Sequence, residues 1–157
     1  MDWYYPVLGG AVRGTAAERM IKAGWDTFVV PGVGVRCVSD EPWVTAAETC
    51  ELAMALHAMG QQDQALELFA QIQFLRAAEG GYWTGWQIQN ERHYPNEQSS
   101  YTAAAVVLAA DVLGSRGPSR AARIFRDAAG GPDVAMPRDP EACGCASPVG
   151  SFSTSGP

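Results

Sequence analysis

The sequence predicts an all-α fold of helical hairpin repeats. One observation is a helix start at Pro42-Trp43-Val44-Thr45-Ala46-Ala47-Glu48, where Thr45 as N-cap and Glu48 three residues on form a capping box for two orphan amides. A second is a pair of apolar-periodic segments, Leu52/Leu56/Met59 and Ala65/Leu66/Leu68/Phe69/Ile72/Leu75, separated by a short break, the pattern of an antiparallel helix pair. The third is a weak internal repeat. Laying Thr45 on Ser99 places Leu52 on Val106, Leu56 on Ala110, Met59 on Leu113 and Gly60 on Gly114, and Gly80-Gly81 recurs as Gly130-Gly131. A period of about 50–56 residues is one hairpin plus its loop.

Taken in order, the chain opens with Trp3-Tyr4-Tyr5-Pro6 before Gly9-Gly10, then a helix from about Ala16 to Ala23 that Gly24 ends as a C-cap would. From Trp25 to Pro42, Phe28 to Val35 has strand-like residues, but Pro31, Gly32 and Gly34 favour an extended loop. The capped helix follows and closes at Gly60. Gln62 to Arg76 forms its partner, a Gly80-Gly81-Tyr82-Trp83 turn leads into a polar aromatic-rich loop to Gln98, and a small-residue helix spans Tyr101 to Leu113. Leu68-Phe69 finds its counterpart near Ile124-Phe125. Beyond Gly130, Pro, Gly, Ser, Ala and Cys dominate with no apolar face, so residues 131–157 read as a disordered tail after a domain of residues 1–130.

At 157 residues the chain can bury one core. Charged residues make up 18%, below the usual ~25%, so the helix faces are weakly charged and partner helices can cover more of them. A net charge of −6 with 11 basic residues argues against nucleic acid, which needs clustered Lys and Arg to displace counterions. No apolar run reaches the ~18–20 residues of a membrane span, and the N-terminus lacks a secretory pattern. Four irregularly spaced cysteines make no disulfide framework, which sets the cytoplasm as the expected compartment. Cys143-Gly144-Cys145 lacks two further ligands, so no metal site is expected, and nothing in the sequence names a cofactor.

The arrangement Phe69-x-x-x-Gln73, Gly81-Tyr82-Trp83 and Tyr101-Thr102-Ala103-Ala104-Ala105 resembles the repeat of triterpene cyclases and protein prenyltransferase β-subunits, the α/α-toroid superfamily. Met1 to Gly10, Arg36-Cys37-Val38, Pro42 to Glu51 and Tyr82-Trp83-Thr84-Gly85 together look like actinobacterial proteins labelled prenyltransferase or squalene-oxidase-repeat proteins, over roughly residues 1–126. That resemblance implies part of an α/α toroid, the later portion of a longer chain, transferase chemistry and an isoprenoid or similarly apolar ligand. Hairpins lacking neighbours leave faces exposed, so self-association and marginal stability are expected.

Acids and aromatics gather in the two loops ahead of the capped helices: Asp40, Glu41 and Trp43 in one, Tyr82, Trp83, Trp86, Tyr94 and Glu97 in the other. Indole and phenol faces are stacking surfaces, and carboxylates bind hydroxyls or act as acid and base. Trp43, Tyr82, Trp83, Trp86 and Tyr94 are therefore the candidate ligand-binding residues, and Asp40, Glu41, Glu51 and Glu97 the candidate catalytic acids. Capping and the helix dipole account for Glu48; capping does not account for Glu51, which is free to face a site. Paired loop carboxylates also fit a carbohydrate-active (α/α) barrel enzyme with a glycan ligand. A non-catalytic helical scaffold that binds protein is the third reading, and an exposed apolar groove without clustered acids would mark it.

Overall fold

The computed structural model describes residues 3–114 of the chain. The expected helix around Ile124-Phe125, the tail of residues 131–157 and the Cys143/Cys145 pair lie outside the described residues. In chain order the elements are α1 (Tyr5–Leu8), α2 (Gly14–Phe28), β1 (Val29–Val30), β2 (Gly34–Arg36), β3 (Trp43–Thr45), α3 (Ala46–Ala58), α4 (Gln62–Gln71), a 3-10 turn (Ile72–Leu75), β4 (Gly85–Gln87), β5 (Arg92–His93) and α5 (Ser100–Gly114).

The all-α expectation is corrected by a five-stranded antiparallel sheet in the order β1-β2-β3-β4-β5, which makes the fold mixed and not a toroid of helical hairpins. Its strands are two or three residues long, too short to print a period-2 pattern in the sequence. The pairing that joins the two halves of the sheet is also non-local: Val44 lies opposite Trp86, with α3 and α4 inserted between their strands. Segments read as loops thus satisfy one another's amides. The Phe28 to Val35 stretch, expected to be a loop, is a tight hairpin in which Val29 faces Val35 and Val30 faces Gly34.

Helix α3 forms the centre. It packs against α1, α4, α5 and β2, and Ala46, Ala47, Cys50, Leu52, Ala53, Met54, Ala55 and Leu56 are all buried. A helix apolar all round belongs in an interior, and its four buried alanines let neighbours approach closely. Fully burying Leu52 and Leu56 contributes about 1.5–3 kcal/mol each. Gly60, at φ +80, closes α3 as the sequence indicates, and the amide of Gln61 reaches back to the carbonyl of Leu56 at 2.9 Å. Helix α4 then lies against α3.

Two local expectations change. Gly24 is not a C-cap: α2 continues to Phe28, and a Cβ on Gly24 would sit 2.5 Å from the Trp3 ring, so this glycine makes room for an indole. Thr45 is the N-cap residue of α3, but its hydroxyl donates to the Glu48 carboxylate instead of capping an amide. The Ala46 amide is satisfied by the Thr84 carbonyl at 3.0 Å. Thr49, one turn on, donates to the Thr45 carbonyl at 2.7 Å and accepts the Val35 amide at 2.8 Å, which fastens β2 to α3. Among the described residues no helix is long and apolar enough to cross a membrane.

Strand β4 is clamped between β3 and β5 at Gly85, where a Cβ would meet the Val44 carbonyl at 2.4 Å and the Tyr94 carbonyl at 2.7 Å. Backbone cannot yield as a side chain does. Gly85→Ala is expected to destabilise the fold by about 1–3 kcal/mol, read as a lower urea midpoint at unchanged m; an unaltered midpoint would contradict the clamp.

Candidate functional site

Glu51 stands in the second turn of α3 and receives three phenols. Tyr4 donates to Oε2 at 2.6 Å, Tyr5 donates to the same oxygen at 3.0 Å, and Tyr101 donates to Oε1 at 2.6 Å. These donors come from far apart in sequence: Tyr4 and Tyr5 from the entry to α1, Tyr101 from the first turn of α5. The carboxylate therefore sits where α5 starts and within the opening turns of α3, positions at which helix dipoles favour negative charge. Proline in the first turn of α1 aims the tyrosine pair, and the Tyr4 and Tyr5 rings meet edge to face at 4.9 Å. Trp3 continues the stack, edge-on to Tyr4 and face-on to Phe28 of α2, both at 5.6 Å.

Tyr4 is fully buried, whereas Tyr101 is 54% exposed, so the site opens on the α5 side. Burial, and then the hydrogen bond to Glu51, hold the Tyr4 phenol far above its ordinary value. Burial, followed by Glu51 and Tyr5, does the same for Tyr101. Tyr5 is also raised, burial being the largest cause, although its neighbouring phenols pull the other way. All three stay protonated through neutral pH, and each spends its proton on Glu51. The carboxylate is thereby an acceptor on both oxygens.

Glu48, one turn earlier, is buried at 6% exposure and takes the Thr45 hydroxyl. Cys37 also hydrogen-bonds Glu48; burial, then the Glu48 charge, pushes its thiol up to about 11. Cys50 is pushed up to about 12 by burial and then by Glu51. Among the described residues neither thiol is in a disulfide, and burial leaves neither activated.

The loop aromatics form a second group on the sheet. Trp43 of β3 lies 4.8 Å from the Tyr94 ring. His93 of β5 stacks on Trp83 at 4.4 Å and meets the edge of Trp86 at 5.4 Å, while Phe74 contacts Trp86 from another side at 5.5 Å. Tyr82 is tied elsewhere, its hydroxyl donating to Gln73 Oε1 at 2.7 Å. An open groove of about 710 Å³ runs along Trp86, Arg92, His93 and Tyr94. Asp40 and Glu41 are exposed between β2 and β3, and Glu97 is exposed ahead of α5. Among the described residues, Glu51 is the candidate acid that three phenols hold, whereas Asp40, Glu41 and Glu97 stand in exposed segments. Among the described residues no group of three or more His, Cys, Asp or Glu side chains is placed to hold a metal ion.

Sequence reasoning reached Glu51 by elimination, because capping explained only its neighbour. It missed Tyr4, Tyr5 and Tyr101 as the donors. The Trp3-Tyr4-Tyr5 run was the available signal, but nothing local connects it to a carboxylate 46 or 47 positions later.

No protein-family model matches the chain. It is similar to a protein of Mycolicibacterium hassiacum described as an MMP endo-(1,4)-3-O-methyl-alpha-D-mannosidase, at 48% identity over 149 residues. The match covers 93% of this chain and 39% of that protein, so the chain spans about two fifths of its relative's length. The resemblance to prenyltransferases, squalene-oxidase-repeat proteins and terpenoid cyclases is corrected by this relative, which is a glycosidase, and by the sheet. Transferase chemistry on an isoprenoid falls with it.

Replacing Tyr4 by Phe removes a buried donor from a charged acceptor and is expected to cost about 1.5–3 kcal/mol in urea unfolding. Tyr101→Phe, at the wet edge, should cost under about 1 kcal/mol. Unfolded tyrosine releases its proton near pH 10 while the folded phenols hold theirs, so the unfolded state binds fewer protons above that point. Stability should be fully present below about pH 10 and fall as pH rises beyond it. Tyr4→Phe should flatten that fall, and parallel pH profiles for the two proteins would refute the assignment.

Proposed function

We propose that the chain is part of a carbohydrate-active enzyme, a glycoside hydrolase for α-linked 3-O-methyl-mannose chains, with Glu51 as a carboxylate acting at the glycosidic bond. The observation that carries the reading is the fixing of Glu51 by three phenols at the opening turns of α3 and α5. Similarity to the mannosidase supports the substrate class.

Glycoside hydrolysis uses two carboxyl groups, one to protonate the leaving oxygen and one to activate water or attack the sugar. Glu51 suits the second role, since three phenols donate hydrogen bonds to its oxygens and hold them in place. Tyr4 and Tyr5 hold Oε2, which fixes the carboxylate's orientation, while Oε1 faces the half-exposed Tyr101, the phenol that a substrate hydroxyl or a water can displace. The partner acid is drawn from the segments that lead into the same helix starts, Asp40 and Glu41 ahead of α3 and Glu97 ahead of α5. A cytoplasmic setting belongs to the same proposal, supported by four irregularly spaced cysteines that make no disulfide framework.

The test is cleavage and binding of an α-(1,4)-linked 3-O-methyl-mannose oligosaccharide by the purified chain. Glu51→Gln keeps the shape and the Tyr101 contact but lowers the basicity of the group. It should reduce kcat by about 10²-fold or more with binding preserved. Equal turnover by Glu51→Gln, or neither binding nor cleavage by the folded chain, would overturn the proposal.

A further inference from the structure

The groove along β5 shares no hydrogen bond with the Glu51 cluster, and the reaction proposed above makes no use of it. Its volume of about 710 Å³ lies within the range of ligand pockets, roughly 300–1,000 Å³. Its lining alternates ring systems with hydrogen-bonding groups: Trp86, His93 and Tyr94 supply planes, and Glu91, Arg92 and Asn96 supply an acceptor, a donor and a group that is both.

This lining discriminates among ligand classes. One acid opposes one base, so there is no uncompensated positive charge for a phosphate or a polyanion. Glu91, Arg92 and Asn96 line it beside the rings and offer hydrogen-bond partners that a hydroxylated ligand uses and an isoprenoid does not. Strand β5 ends the sheet, yet it comprises only Arg92 and His93, too short an edge to template an added peptide strand. A neutral pyranose chain fits on each count. Its C–H face stacks on an aromatic ring while its rim of hydroxyls offers both donors and acceptors. A 3-O-methyl group adds apolar area that an indole or phenol can cover.

The rings are held before any ligand arrives. Trp86 lies opposite His93 in the β4–β5 register, and the His93 ring is stacked on Trp83. Tyr94 rests on Trp43, and its amide donates to the Gly85 carbonyl at 3.0 Å. Tyr94 nevertheless remains 40% exposed, an aromatic surface kept in place and kept open. Preorganised rings lose little freedom on binding.

Resting on the carbohydrate reading, we propose that this β5 groove is a glycan-binding subsite that grips a neutral, partly O-methylated mannose chain away from the bond Glu51 acts on. Tyr94 provides the stacking face and Arg92 the hydroxyl-directed donor.

The experiment is a titration of the full chain carrying Glu51→Gln, which slows turnover, with the α-(1,4)-linked 3-O-methyl-mannose oligosaccharide, followed by calorimetry. Tyr94→Ala and Arg92→Ala are then added singly, each checked for an unchanged melting profile because both residues are exposed. Each is expected to raise Kd about fivefold to tenfold. Trp86→Phe, which keeps a ring against Phe74 and His93, should give a smaller increase. If the Glu51→Gln protein binds and neither Tyr94→Ala nor Arg92→Ala changes Kd, the subsite is refuted while the enzymatic reading stands. If the wild-type chain neither binds nor cleaves the oligosaccharide, both fall together.

Discussion

The burial of α3 on every side governs the rest of the molecule. A helix wrapped by α1, α4, α5 and β2 has no wet face on which to discharge its polar residues, so each must find a partner in the surrounding elements. Thr49 finds the β2 backbone, Glu48 finds Thr45 and Cys37, and Glu51 finds the phenols of α1 and α5. Satisfying these groups is what fixes the neighbours in place. The apolar side of α3 supplies the driving force, and its polar residues set the register in which the neighbours dock.

That arrangement also explains why Glu51 has a built environment and the loop acids do not. Asp40, Glu41 and Glu97 lie in exposed segments where water satisfies them, so nothing compels a side chain to converge on them. Glu51 is half-buried at the start of a central helix, where an unpartnered charge would be costly. Its surroundings supply donors alone, three phenols whose protons burial keeps in place. A carboxylate so held is fixed in orientation by its neighbours.

The sheet serves the second aromatic group in the same way. Strands too short to be stable alone gain their strength from the helices they bridge, and in return they position Trp43, Trp86, His93 and Tyr94 from three separate segments. The correction from a terpenoid-type helical protein to a mixed fold with a glycosidase relative follows from this division of labour. Gly-Gly-aromatic turns and small-residue helices are solutions to helix packing, and packing motifs recur across chemistries. They record how hairpins stack and say little about what lies at their ends.

What the sequence determined by itself was the helical framework: the start of α3 at Thr45, its end at Gly60, the α3–α4 succession, and a helix after the aromatic loop. Those features are local, set by capping, periodicity and breakers within a few turns of chain. It also set Glu51 apart from Glu48, because the capping box explains one carboxylate and not the other, while leaving Glu51 one of four candidate acids. The tertiary structure alone decided the sheet, the clamp on Gly85, the place of Gly24 beneath Trp3, and the meeting of Tyr4, Tyr5 and Tyr101 on one carboxylate. Each of these joins residues some 20 to 50 positions apart, or strands too brief to leave a period. Such contacts are chosen by which surfaces the buried helix brings together, and no local pattern encodes that choice.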